Sequence, residues 1–154
     1  MNREIYPDLS TNTFDTYFFT SIGRKGNILK AVIYTPMEFP DTYNLGMATV
    51  KYDEFGKAYL DGKDRTNNGD INLVLSTTAK TIEIYTTVYP GRKVYFRGYE
   101  PHLTEIYQRA IRNDYDDIIA LYNIFGDKDE RINYHKLEPF SLTEDYYGFS
   151  LERK

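Results

Sequence analysis

Between residues 67 and 112 the hydrophobic rhythm of the sequence changes twice, and this stretch constrains the fold more than any other. It opens with Asn67-Asn68-Gly69-Asp70. Ile71, Leu75, Thr78, Ile82, Tyr85 and Tyr89 then step by fours and threes, the stripe of an amphipathic helix. Asn67 or Asn68 is placed to cap that helix. Asp70 puts negative charge in its first turn, where the helix dipole favours it. Thr77, Thr78, Thr81, Ile82, Ile84, Thr86, Thr87 and Val88 are β-branched and lower helix propensity. The local alternative is a hairpin of 81–89 with 93–99, turning at Pro90-Gly91. Spacing and capping residues favour the helix. Residues 93–98 then read as a strand, and Pro101 starts a second helix. Its apolar face is Leu103, Ile106, Tyr107, Ala110 and Ile111.

The flanks read as strands. Residues 14–22 and 28–35 form a hairpin around Gly23-Arg24-Lys25-Gly26-Asn27. Pro36 and Pro40 end it. In 43–53, Tyr43, Leu45 and Met47 share one face before Val50 and Tyr52 take the opposite phase. That shift marks a bulge near Ala48 or burial on both faces. A short fourth segment lies between Glu54-Phe55-Gly56 and Asp61-Gly62. Asn113-Asp114 ends the second helix. Residues 118–125 are apolar on both faces, like a central strand, and 132–137 and 147–151 read as further strands. The expected fold is a single α+β domain. A twisted, largely antiparallel or mixed sheet carries two packed helices in the order βββ, α, β, α, ββ.

A chain of 154 residues fits one domain with a sizeable core. It has no cysteine, which removes disulfides, thiolate nucleophiles and Cys-based metal sites and suits a reducing cytoplasm. Net charge is −4, against a protein that grips nucleic acid by neutralising phosphates. The amino terminus carries charges and Pro7 where a signal peptide needs an apolar run. Nothing approaches a membrane span. Sixteen tyrosines and nine phenylalanines accompany no tryptophan. Such an excess serves either a core with polar rims or a partner-binding face.

Candidate chemistry is sparse. His102, at the start of the second helix, would have its pKa depressed by the dipole and suit a neutral base. No serine or threonine nucleophile pattern accompanies it. His135 alternates with Tyr134 in the expected strand and reads as structural or exposed. Asp114, Asp116 and Asp117 lack the glycine and terminal glutamate of a calcium loop and read as a helix end with a solvated turn. Asp127, Asp129 and Glu130, among Lys128 and Arg131, read alike, and no metal set is expected. The loop of Arg65, Thr66, Asn67, Asn68, Gly69 and Asp70 can cap a helix, and the same groups can grip a ligand.

Tyr17-Phe18-Phe19-Thr20-Ser21-Ile22-Gly23, Lys25-Gly26-Asn27-Ile28, Tyr43-Asn44-Leu45-Gly46 and Asn67-Asn68-Gly69-Asp70 followed by Val74-Leu75 form one set of features. Tyr89-Pro90, Gly98, Ile106-Tyr107 and Ile124-Phe125-Gly126 extend it along most of the chain. With these the sequence resembles a family of small bacterial proteins known only as a domain of unknown function. The resemblance implies a shared fold, including the helix at 71–89, and no activity. Where the family pattern expects a small residue and an arginine after the Gly98 strand, this chain has His102 and Leu103.

The element order is also similar to the core of the GNAT acyltransferases. There a Gly-rich turn before the first core helix offers backbone N–H groups to the pyrophosphate of acyl-CoA. This likeness implies that Arg65, Asn67, Asn68, Gly69 and Asp70 occupy the equivalent turn. It also puts Tyr107 where a tyrosine protonates the departing thiolate. The turn here has one glycine and ends in a carboxylate that would repel phosphate.

The leading expectation is a non-catalytic cytoplasmic protein, without cofactor, that binds a protein partner or its own copy. The rival is an acyl-CoA-dependent transferase, with acyl-CoA as its cofactor. A nucleic-acid binder is least favoured.

Overall fold

The computed structural model describes residues 3–64 and 67–154. The fold is α+β. Among the described residues nine strands run in the order β1-β2-β3-β4-β6-β9-β7-β8, with β5 beside β4. β1–β2, β2–β3, β4–β5, β6–β9, β7–β8 and β7–β9 pair antiparallel, and β4–β6 pairs in parallel. These strands are β1 Ser10–Thr11, β2 Thr16–Gly23, β3 Gly26–Pro36, β4 Thr42–Tyr52, β5 Ala58–Asp61, β6 Lys93–Phe96, β7 Tyr122–Asp127, β8 Leu137–Pro139 and β9 Gly148–Arg153. The helices are α1 Ile71–Val88, α2 Pro101–Asn113 and α3 Tyr115–Leu121. Among the described residues no helix is long and apolar enough to cross a membrane.

The chain divides into two compact units, residues 2–35 with 45–89, and residues 36–44 with 90–154. In the first unit, β2 and β3 pair from Thr16↔Ile33 to Gly23↔Gly26. This register sets Tyr17 opposite Val32 and Phe19 opposite Lys30. Helix α1 packs here with an unusual inner face: Thr77, Thr81 and Thr86 are fully buried beside Tyr85. Each threonine hydroxyl has a partner. Thr77 accepts the Tyr6 amide at 2.9 Å, Thr81 shares a 2.8 Å bond with the Tyr34 hydroxyl, and Thr86 donates to the Ile82 carbonyl. Tyr34 also stacks on Tyr85 with centroids 3.9 Å apart. The β-branched run that argued against a helix is therefore what lines this core. Burial and hydrogen bonding outweigh the propensity cost.

In the second unit β6 pairs in parallel with the start of β4, from Thr42↔Lys93 to Asn44↔Tyr95. β9 lies between β6 and β7, antiparallel to both. Val94, Tyr95, Ile124, Phe149 and Leu151 build the core. Of the expected face of helix α2, Ile111 is buried and Leu103, Ile106, Tyr107 and Ala110 are half-buried, while Thr104 and Gln108 are buried beside them. The reason is polar. Thr104 Oγ1 accepts the Gly98 amide at 3.0 Å, and Gln108 donates to the Glu144 carbonyl while accepting the Tyr146 amide.

Three expectations about this unit are corrected. Residues 118–125 are not one strand: 115–121 form α3, a third helix, and only Tyr122–Asp127 is extended. Asp114 stands at the N-cap, and Asp116 and Asp117 in the first turn favour a helix start. Residues 132–136 are a loop, with β8 confined to Leu137–Pro139. The fully buried Asp127 carboxylate accepts the amides of Asp129 and Lys136, each at 2.9 Å, and so curls this segment away from a ladder. The closing strand extends to Arg153.

Candidate functional site

The loop before α1 is anchored to the β2–β3 turn. Asn68 is buried. Its Oδ1 accepts the Lys25 amide at 2.6 Å, and its Nδ2 donates to the Gly26 carbonyl at 3.0 Å and to Ser21 Oγ at 3.1 Å. Its own carbonyl accepts the Arg24 amide. Asn68 therefore does not cap the helix. Asp70 holds the N-cap position without a side-chain cap bond. Its Oδ2 instead accepts from Ser21 Oγ at 2.6 Å and from the Tyr6 hydroxyl. Gly69 sits at φ +81°, the left-handed region that favours glycine, with the Arg24 guanidinium alongside. Asn67 Oδ1 accepts the Gly69 amide. Arg65 and Thr66 lie outside the described residues. The side chains of Asn68 and Asp70 are thus committed to holding the fold.

Helix α2 carries the other two named candidates. His102 is exposed in its first turn. Tyr107 is half-buried and meets Phe96 edge-on, with centroids 5.8 Å apart. Burial pushes the Tyr107 phenol up to about 12, so it stays protonated at neutral pH.

A cavity of about 360 Å³ in the unit of 36–44 and 90–154 was not legible in the sequence. It is lined by Phe39, Pro40, Thr42, Lys93, His135, Leu137 and Ser150. His135, expected in a strand, is in the loop before β8, its imidazole sandwiched between Phe39 at 4.0 Å and Tyr95 at 4.2 Å. Its Nε2 is buried without a hydrogen-bond partner, and desolvation lowers its pKa. Tyr95 in turn donates to Asp127 at 2.7 Å. The stack cannot be foreseen from a lone histidine, since all its walls are distant in sequence. Among the described residues no group of three or more His, Cys, Asp and Glu side chains could hold a metal.

The β4–β5 hairpin is the most exposed apolar feature among the described residues. Tyr52 is 64% exposed, Phe55 at its tip 87%, and Tyr59 and Leu60 49% each. Among the described residues β5 pairs only with β4, from Thr49↔Asp61 to Tyr52↔Ala58. The Asp53 amide donates to the Lys57 carbonyl at 3.0 Å, so 53 and 57 are a hydrogen-bonded pair. Alternation along an antiparallel ladder makes Lys51 and Tyr59 another. The backbone groups of Ala58 and Leu60 therefore point away from β4. On the Tyr59 face Lys51 bonds Asp61 at 2.8 Å. The tyrosines do not gather here: Tyr6, Tyr17, Tyr34, Tyr85, Tyr95, Tyr122 and Tyr146 are buried.

The chain belongs to DUF6934, a family of unknown function, whose model matches residues 2–154. No curated protein and no solved structure matches it.

Proposed function

We propose that this chain is a non-catalytic, cytoplasmic protein-binding module whose contact surface is the β4–β5 hairpin. The observation that carries the reading is the exposure of Tyr52, Phe55, Tyr59 and Leu60 around a strand whose Ala58 and Leu60 backbone groups point away from β4. Single exposed apolar residues are ordinary; several in one hairpin mark a contact surface. Natural sheets blunt their edges. Here β1 is two residues long and β8 contains Pro139, whereas every residue of β5 keeps its amide. An extended segment of another chain can add to such an edge, with main-chain bonds giving affinity and the flanking rings giving selectivity. The test pairs light scattering after size exclusion with retention of partners from native lysate. Phe55→Ser and Leu60→Pro substitutions, with folding checked by circular dichroism, serve as controls. A partner held by the wild type and lost in both substituted proteins supports the reading. A solitary wild-type monomer that holds no partner, or only partners that both substituted proteins also hold, overturns it.

A second reading, an acyl-CoA-dependent transferase with a GNAT-like core, is favoured by one observation. A parallel pair, β4 and β6, flanks α1 along the chain, and Tyr107 follows on α2 with its proton held. Its pyrophosphate loop would be Arg65, Asn67, Asn68, Gly69 and Asp70. Two features weigh against it: Asn68 and Asp70 already have internal partners, and β5 covers the edge of β4 from Thr49 to Tyr52. A thermal-shift titration with coenzyme A and acetyl-CoA decides. Ligand at 100 times its dissociation constant adds about 2.7 kcal/mol to stability. No shift at millimolar ligand removes this reading.

A further inference from the structure

We infer that the strand β5 receives is β5 of a second copy, in an antiparallel pair whose two-fold axis passes through Tyr59. The inference rests on the binding reading above and names its partner.

Two properties of the edge select this arrangement. The outward backbone groups belong to Ala58 and Leu60, by the alternation fixed at Asp53 and Lys57. Centring the pair on Tyr59 sets Ala58 of each copy opposite Leu60 of the other. The outward groups then meet, and four main-chain hydrogen bonds follow from the alternation. The side chains agree with the backbone. Tyr59 faces its own copy, an aromatic cross-strand pair, and Lys57 faces Asp61 of the other chain on both sides of the axis. Each Asp61 already holds Lys51 at 2.8 Å, so the incoming Lys57 joins a cation–anion–cation row rather than an isolated carboxylate.

Neighbouring registers fail the same test. Because cross-strand partners must share a face, the axis can move only by whole residues along β5. Centred on Leu60, the pair sets Lys57 against Lys63, and like charges directly opposite are destabilising. Centred on Ala58, it sets Lys57 against Tyr59 and Asp61 against Phe55, and both charge pairs are lost. Only the Tyr59 register is self-complementary in charge, which a two-fold interface requires. All four β5 residues are exposed or half-exposed, so the strand is accessible. A ladder of four residues falls short of the roughly 1,200 Å² of a stable interface. The pair is therefore a weak dimer that grows with concentration.

Sedimentation equilibrium across a wide concentration range provides the test. The wild type is expected to show a reversible monomer–dimer equilibrium. Leu60→Pro removes an outward amide that β4 does not use, and abolishes the dimer while circular dichroism stays unchanged. Lys57→Asp and Asp61→Lys are each monomeric alone. Mixed together they re-form a dimer, because every opposing pair again carries opposite signs. A dimer that survives Leu60→Pro, or a mixture that stays monomeric, overturns the inference. A wild type that is monomeric at millimolar concentration also overturns it. If that monomer retains a different protein through the hairpin, the binding reading stands and only its self-partner falls; if it retains nothing, both fall.

Discussion

Asn68 donates from its carboxamide to the Gly26 carbonyl at 3.0 Å, tying the loop before α1 to the turn between β2 and β3. The same side chain serves Lys25 and Ser21, so a residue that reads as a helix cap in the sequence is a brace between distant segments. Gly23 is part of this joint. A Cβ there would collide with the Asn68 carbonyl. Asn68→Ala removes three hydrogen bonds, one of them to the buried Ser21 hydroxyl and two to the exposed Lys25 and Gly26 backbone, at a cost of about 1–3 kcal/mol. Urea denaturation is expected to show a loss of this order, with Gly23→Ala at least as harmful.

Two buried tyrosines are expected to respond oppositely to loss of their hydroxyl. Tyr17 is fully buried and its hydroxyl has no partner, and burial pushes its pKa up to about 12. Tyr17→Phe removes an unsatisfied polar atom and leaves stability unchanged or raised by about 1 kcal/mol. The Tyr95 hydroxyl donates to the buried Asp127 at 2.7 Å. Tyr95→Phe takes a donor from a buried carboxylate and costs about 1–3 kcal/mol. Denaturation midpoints of both substituted proteins check the contrast.

Lys30 is buried, and its ammonium donates to Thr49 Oγ1 at 2.6 Å. Desolvation, its main cause, lowers the Lys30 pKa below 10.5. At neutral pH both folded and unfolded chains carry the charge, and the fold bears its desolvation. As pH rises between the folded and the unfolded pKa, the folded chain loses its proton first, so stability rises there. Lys30→Met is expected to abolish that rise and to leave stability at neutral pH equal or higher. Thr49→Val, which takes that acceptor from the ammonium, is expected to destabilise. Thermal melts at neutral and alkaline pH read both effects.

His135 gives the opposite end of the pH scale. Its pKa lies below 6.5 because burial between Phe39 and Tyr95 disfavours the imidazolium. Below about pH 6.5 the unfolded chain takes up a proton that the folded chain refuses. Stability therefore falls as pH drops through this range. His135→Phe keeps a flat ring in the stack and is expected to flatten that part of the profile. Imidazole shifts followed by NMR give the folded pKa directly, and a value at or above 6.5 would contradict the account.

Within the hairpin, Lys51→Met removes the 2.8 Å bond to Asp61. The pair is substantially exposed and screened by solvent, so the intramolecular loss is expected to be small. A denaturation midpoint that falls much further would mean the hairpin depends on this pair.

Much of the backbone was legible from one-dimensional signals. The β2–β3 hairpin follows from two alternating runs around a glycine-bearing turn. The 71–88 helix follows from its spacing, and the α2 start from Pro101. Each of these depends on residues a few positions apart. Where a segment's neighbours in sequence are ambiguous, the reading failed. Residues 118–125 are apolar on both faces, and strand and helix then look alike; Asp114, Asp116 and Asp117 tipped the first half to α3. The 132–136 segment alternates like a strand, yet one buried carboxylate, Asp127, binds its backbone into a loop.

Local periodicity and residue type were enough to establish the class of fold, most element boundaries and the absence of cysteine chemistry, while the family was legible through the resemblance of motifs along the chain. What the polar groups do was settled by long-range packing. It joined Asn68 to the β2–β3 turn, slid His135 between two rings, turned the threonines of α1 inward and left β5 with an open edge. Each of these brings together groups far apart along the chain. Their energies come from burial and hydrogen bonding, which no local pattern encodes.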